Sequence, residues 1–267
     1  MRSRRKRETV FWSNKTPPPL FIMDARQIII KAIGAKDANN AIKKLHYSGT
    51  VVPNSQLHLG VFIENKLEGV MQFGSSMRKD LIMPLVSGTK WSEFIELNRM
   101  AFSDKLPRNS ESRALSIALR MIKKHSPFIK WVVTFADATQ CGDGTIYRAC
   151  GFVLTGIKRN SQLAINPETK KVMHKISAFH IGKEYEHSQW EKLDGFQLRY
   201  IYFLDPTYRA RLTVPELPYS EIKARGATMY KGQRPTGVQG VAGGTPDSNL
   251  EAEVRDLPAR SNTVITQ

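Results

Sequence analysis

Between residues 26 and 204 the hydrophobic period of the chain switches repeatedly between two residues and 3.6, and few architectures tolerate that alternation. RQIIIKAIG (26–34) reads as a strand, and AKDANNAIKKLHYS (35–48) as a helix with Ala38, Ala41, Ile42 and Leu45 on one face. LHLGVFIEN (57–65) and KLEGVMQFGS (66–75) predict a hairpin turning at Asn65 and Lys66. WSEFIELNRMAFS (91–103) predicts a long strand. A helix capped by Asn109 or Ser110 follows and runs to about Lys124, with Ala114, Ile117, Ala118 and Met121 inward. WVVTFAD (131–137) is a buried strand, and a short helix then carries Tyr147 and stops at Gly151. FVLTGIK (152–158), VMHKISAFHI (172–181) and FQLRYIYFL (196–204) supply the remaining strands. The order predicts an α/β domain, a mixed β-sheet flanked by helices.

Both ends depart from this pattern. Residues 1–22, with Arg2, Arg4, Arg5, Lys6 and Arg7 followed by three prolines, read as a flexible basic arm. Residues 23–212 read as the folded domain, and 213–267 as a low-complexity, disordered tail rich in Gly, Pro, Thr and Ser. The formal charge is +16, of which the arm holds +5 and the tail none, so +11 belongs to residues 23–212. A fold that accepts this self-repulsion is expected to meet a polyanion, with nucleic acid ahead of a phosphorylated cofactor in a basic cleft. No apolar run approaches the roughly 18 residues of a membrane span, and no secretory leader opens the chain, so a soluble intracellular protein without a membrane partner is expected. Two cysteines, Cys141 and Cys150, exclude a disulfide framework and a four-thiolate zinc site.

The chemistry concentrates in residues 91–158. Two adjacent parallel strands there are expected to splay, and the helix beginning near 109 points free N–H groups into the wedge, a ready pyrophosphate site. Arg108 and Arg113 add charge; Ser110 and Ser112 add hydroxyl donors. This layout resembles the Gcn5-related N-acetyltransferase (GNAT) fold, which binds acetyl-CoA in such a wedge. Tyr147, four residues before Gly151-Phe152, is similar to the tyrosine with which that superfamily protonates the departing CoA thiolate. The superfamily's glycine-containing pyrophosphate loop is here RNSESRA, without glycine.

Four blocks together resemble the Mom family of Mu-like phages, a divergent branch of that fold: LHYSGTV (45–51), ELNRMAF (96–102), LPRNSESRA (106–114) and FADATQCGDGTIYRACGF (135–152). The resemblance implies a GNAT-like catalytic domain that adds a methylcarbamoyl group to N6 of adenine in duplex DNA. Such an enzyme shields phage DNA from host restriction in the cytoplasm of the infected bacterium. It places functional positions on His46, Tyr47, Arg99, Ser112, Asp137 and Tyr147, and acetyl-CoA as the cofactor. The family's usual Gly-His-x-Gly step is Cys141-Gly142-Asp143-Gly144 in this chain.

Each residue also has a plain structural reading. His46 follows a helix and would serve as a C-terminal dipole partner; Asp137 would cap the loop after its strand; Arg99 would pair with Glu96. The carboxylate of Asp137, at the carboxyl end of a strand, would otherwise accept an N6 proton from a weakly nucleophilic amine. Ser112 would solvate its helix start, His58 and His125 read as structural, and both cysteines as ordinary. His174 and His180 share a strand face at a spacing long for one metal. DNA contacts are expected from Arg78 and Lys79 in the 75–90 loop, from a turn at Lys158 and Arg159, and from Arg4, Arg5 and Arg7. Exposing N6 requires base flipping, at a few kcal/mol, with Phe11 and Trp12 or Tyr185 and Trp190 to fill the gap. Plain acyl transfer would give N6-acetyladenine, whereas the family product carries a CH2 on nitrogen. A redox metal such as iron enters on that ground, with His46, Tyr47 and Asp137 as candidate ligands. The rival functions are acetylation of a small amine, protein or tRNA, and a non-catalytic DNA-binding module. The oligomeric state stays open, a homodimer included.

Overall fold

A computed structural model of the protein describes residues 24–140, 142–170 and 172–228. The basic arm, Cys141 and the tail beyond 228 lie outside the described residues. Eight strands form one sheet in the order β1-β2-β3-β4-β5-β8-β6-β7. In chain order these are β1 (Ile29–Ala32), β2 (Ser55–Ile63), β3 (Lys66–Gly74), β4 (Phe94–Phe102), β5 (Trp131–Asp137), β6 (Val153–Ile165), β7 (Val172–His174) and β8 (Glu191–Phe203). Only β4 and β5 run parallel; every other neighbouring pair is antiparallel. The expected mixed sheet flanked by helices is present.

The pleat sorts the side chains. Val132 and Ala136 of β5 point into a cluster with Ala114, Leu115, Ala118, Leu119 and Ile122 of α3 (Ser110–His125). Trp131 and Val133 point the other way, onto α2 (Lys79–Ile82) through Ile82. Helix α1 (Ala35–Leu45) covers that second face further along, packing Ala38, Ala41 and Ile42 on Val70 and Ala101. Alternation therefore places Asp137, the last residue of β5, on the α1 face of the sheet.

Several expectations are corrected. The β2–β3 turn is Glu64-Asn65, both at positive φ (50° and 60°), with Lys66 already paired to Ile63. That is the mirror-image two-residue turn that suits strand twist. Helix α3 buries Leu115, Leu119 and Ile122 beside Ala114 and Ala118, while Ile117 and Met121 are only partly covered. Its sequence carries two apolar stripes, and the leucine-bearing one faces the sheet. Residues 172–181 are not one strand: β7 ends at His174 and α5 (Lys175–His180) follows, then α6 (Glu184–Gln189). The cause lies in β6, whose pairing is irregular between Asn160 and Leu163, so its regular edge ends opposite His174. Lys158 and Arg159 sit within β6, opposite Gln197 and Phe196, rather than in a turn.

The boundary at 212 falls short of the folded region. Leu217 N–H donates to the Leu154 carbonyl at 2.8 Å, and α7 (Ser220–Ala224) seats Ile222, 1% exposed, in the α3-side core. Ile222→Ala is expected to cost about 2–3 kcal/mol, measured by urea unfolding; a surface tail would show no change.

Candidate active site

The site begins with a split in the sheet. β4 and β5 pair in parallel for four residues only, from Phe94↔Trp131 to Leu97↔Thr134. Beyond that point β4 bulges: Leu97 and Arg99 face consecutive residues of β3, leaving Asn98 extra. A bulge bends its strand, and β5 continues to Asp137 paired with β8 alone. The result is the expected wedge.

Polar side chains hold the split. Asn98 is buried, and its Oδ1 accepts from Ser55 Oγ at 3.1 Å. Arg99 donates to the Asn98 carbonyl at 2.9 Å and, across to the segment after α1, to the Thr50 carbonyl at 3.2 Å. Its guanidinium thus braces main chain, where sequence reasoning offered a Glu96 partner or a cofactor. Glu96 lies on the same face, its carboxyl pushed up by burial despite Ser76, Asn98 and Arg99 nearby.

His46 and Tyr47 arrive from the end of α1. The Ser48 N–H donates to His46 Nδ1 at 3.1 Å, which puts the ring proton on Nε2. Burial first, and the charge of Arg99 second, push the His46 pKa down to about 4. The ring is therefore neutral near pH 7, and the dipole-partner reading, which needs a cation, does not hold. Between about pH 6.5 and about 4 the unfolded chain takes up a proton that the folded chain refuses, so stability falls as pH falls through that window. Urea midpoints followed over that range are expected to show this loss in the parent protein and to lose it in His46→Gln.

Tyr47, 57% exposed, packs on His46 with ring centroids 4.3 Å apart and planes tilted by 30°. Its hydroxyl donates to Asp137 Oδ2 at 3.3 Å, closing a contact across 90 residues. The Thr139 N–H donates to Oδ1 at 2.9 Å. Both carboxylate oxygens are thereby oriented at the carboxyl end of β5. Thr139 itself is buried, and its Oγ1 has no hydrogen-bond partner among the described residues.

Tyr147 lies elsewhere. It sits on α4 (Thr145–Ala149), packed against Phe152 and Tyr200 in the α3-side core, with ring centroids at 5.6 and 5.4 Å. The Cys-Gly-Asp-Gly step before it is structural where it is described. Asp143 accepts from the Thr145 N–H and pairs with Arg148 at 2.7 Å, and its carbonyl accepts the Tyr200 hydroxyl at 2.5 Å. Gly144 has φ 70°, and a Cβ there would meet the Tyr200 ring at 2.7 Å. Cys150 is equally structural: its Sγ donates to the Ser112 carbonyl, and burial pushes the thiol pKa up.

The start of α3 opens on a cleft of 460 Å³ lined by Asp24, Arg26, Asn109, Ser112, Arg113 and Arg120, among others. Asn109 holds the N-cap position in a left-handed conformation (φ 69°) and makes no side-chain cap, contrary to expectation. Ser110 is fully buried, with no partner for its Oγ among the described residues. Ser112 Oγ donates to the Asn109 carbonyl, and Arg108 is exposed outside the cleft lining. Arg26 and Arg120 were missed; Arg120, two turns after Arg113 on α3, was findable from helical spacing. Among the described residues no three His, Cys, Asp or Glu side chains converge to hold a metal. Among them, too, no helix is long and apolar enough to cross a membrane.

Of the expected DNA contacts, Lys79 is withdrawn. It is 8% exposed, with Nζ 4.2 Å from the Trp91 ring centroid and 5.2 Å from that of Phe94. Arg78 is exposed and paired with Asp80; Lys158, Arg159 and Tyr185 are exposed, and Trp190 is partly covered beside His187. Arg4, Arg5, Arg7, Phe11 and Trp12 lie outside the described residues.

The profile of the Mom protein family matches residues 27–221, which contain the split, the Tyr47–Asp137 contact and α3. The chain belongs to the Mom family. A Mom relative, the methylcarbamoylase mom of Escherichia phage Mu, is 34% identical over 196 residues, 70% of this chain and 80% of its own. Two solved structures similar to this Mom chain are acetyltransferases. One is a Bacillus subtilis acetyltransferase in complex with CoA, at 10% identity and TM-score 0.40, covering 66% of this chain and 97% of that one. The other is the ribosomal-protein-S18-alanine N-acetyltransferase of Escherichia coli, at 11% and 0.40, covering 67% and 94%. Likeness at that level carries no functional inference.

Proposed function

We propose that this protein modifies adenine in duplex DNA at N6, adding a methylcarbamoyl group, and so protects phage DNA from restriction in the cytoplasm of the infected host. The observation that carries the reading is the Tyr47–Asp137 contact at the sheet's split, in a chain of the Mom family. Adenine N6 shares its lone pair with the ring and is a poor nucleophile. A carboxylate fixed on both oxygens accepts one N6 proton as nitrogen attacks. Tyr47 orients Oδ2, and Thr139 orients Oδ1. His46, neutral, presents Nε2–H beside Tyr47 as a hydrogen-bond donor rather than as a base.

A CoA thioester, when bound, supplies an activated two-carbon unit. The residues fit its phosphates: the buried Ser110 hydroxyl, without a hydrogen-bond partner among the described residues, the uncapped start of α3, and the Ser112, Arg113 and Arg120 side chains at the cleft. Arg99 holds the two carbonyls beside the split. Attack of N6 on the thioester carbonyl breaks the C–S bond and gives an N6-acyl adenine; an N–CH2 bond with a terminal amide needs, in addition, a two-electron oxidant to activate the methyl carbon and an amine nitrogen donor as co-reactants, and in either route Asp137 accepts the N6 proton. The exposed Lys158 and Arg159 are assigned to the DNA backbone, and Tyr185 to the space that a flipped base leaves.

The test is nucleoside mass spectrometry of bacterial DNA after expression. A deoxyadenosine heavier by CH2CONH2 in place of hydrogen is expected. A peak at the acetyl mass would replace the product with plain acetylation, and unmodified DNA from soluble protein would overturn the reading.

A further inference from the structure

We propose that Arg199 of β8 binds the backbone phosphate of the adenosine presented to Asp137. The proposal deepens the reading of this site as one for duplex DNA and rests on it. Strand register sets the residue in place. Asp137 lies opposite Gln197, and Phe135 lies opposite Arg199. Arg199 is therefore the diagonal neighbour of Asp137 on the same face, about 7–8 Å off between backbones. On the next strand Gly156 lies opposite Arg199 and Lys158 opposite Gln197, which puts Lys158 on that face too. Phe135, Val153 and Ile201 form an apolar floor there. The face turns polar at Arg199, Gln197, Lys158 and Asp137, of which Gln197 and Lys158 are exposed.

The guanidinium is held in place and left uncompensated. Leu154 pairs with Tyr200 and Gly156 with Arg199, so Thr155 is an extra residue, a bulge of the kind that re-aims side chains. Arg199 donates from Nε to Thr155 Oγ1 at 3.0 Å and from Nη2 to the Thr155 carbonyl at 2.7 Å. Thr155, 3% exposed, donates its hydroxyl to the Arg199 carbonyl at 3.3 Å. Gly156 supplies the room, since a Cβ there would meet Nη2 at 3.2 Å. Two N–H groups are thus spent on Thr155, and the Nη1 end keeps the rest. Among the described residues no carboxylate pairs with Arg199. Burial lowers its pKa, with no neighbouring charge to offset it. A partly buried charge without its opposite is destabilising, and a guanidinium with a free edge matches the oxygens of a phosphate.

The anion at Arg199 is distinct from the phosphates of a CoA thioester at α3, because α3 and its cleft lie on the other face of the sheet. N6 and the phosphate stand at opposite ends of a nucleotide. An adenine offered to Asp137 therefore brings its phosphate across β8 toward β6, where the guanidinium lies against Thr155.

The test uses the full chain and duplex DNA carrying one mispaired adenine, which lowers the cost of flipping. The slope of log K against log salt is expected to become shallower by about 0.9 in Arg199→Gln, and to return to the parent value in Arg199→Lys. An unchanged slope in Arg199→Gln, or an equally shallow one in Arg199→Lys, would overturn the contact. A second arm probes the phosphate itself. Methylphosphonate, which is neutral, replaces each linkage beside that adenine in turn. One of the two is expected to weaken binding by the parent protein and to cost nothing more in Arg199→Gln. No loss from either linkage in the parent, or losses that multiply, also overturns the proposal. Binding requires no turnover. If the expected results appear while DNA stays unmodified in cells, the reaction reading has failed and the phosphate contact stands.

Discussion

Asp137→Asn is expected to cut formation of the modified adenine about 10²–10⁴-fold, the range of a lost general base, and to leave stability almost unchanged. The amide oxygen still accepts the Thr139 N–H and the amide NH2 donates to the Tyr47 hydroxyl oxygen, so the local hydrogen bonds survive while the proton acceptor is gone. Nucleoside mass spectrometry alongside thermal unfolding separates the two effects. Tyr47→Phe tests the geometry of the same contact. It removes the bond to Oδ2 while the ring contact with His46 remains, and a milder, roughly tenfold loss is expected because the carboxylate remains. Equal losses in the two variants would mean that the carboxylate's orientation, and not its basicity, decides the rate.

The largest expected effect on stability comes from Trp131→Ala, at about 3–5 kcal/mol. Trp131 is fully buried, stacks on Phe94 at 4.6 Å and 8°, and donates from Nε1 to Thr89 Oγ1 at 3.1 Å. Phe94↔Trp131 is also the first rung of the β4–β5 pairing, at the foot of the split. For a domain of this size such a loss lowers Tm by roughly 6–20 °C, readable by calorimetry. Trp131→Phe keeps the stack and should recover most of it. A fall worth less than about 1 kcal/mol in the alanine variant would mean that the foot of the split is not held by this ring.

Local pattern carried much of this fold. WVVTFAD begins and ends as β5 does, since a continuous apolar run bounded by polar loops has few alternatives. Pattern was blind to what non-local pairing decides. Nothing in ELNRMAF marks Asn98 as the bulged residue, because the bulge exists only against β3. Lys79 scores as surface charge in any composition argument, yet Trp91 and Phe94 cover it. The short run VMHKISAFHI suits strand and helix equally, and the irregular edge of β6 decides between them. In the site, His46, Tyr47 and Asp137 were reached through family resemblance, and the structure brings those three together. It leaves Tyr147 on the other side of the sheet, and it turns Arg99 toward main-chain carbonyls.

The insertion of β8 between β5 and β6 has a consequence for synthesis. β5 leaves the ribosome as residues 131–137, while β8 is residues 191–203, and past Thr134 the end of β5 that bears Asp137 is paired with β8 alone. Such a long-range pairing forms late. A nascent chain, or one cut short before β8, carries Tyr47 and Asp137 without the strand that aligns them. Premature termination therefore yields an inert product instead of a fragment able to act on the host's own chromosome.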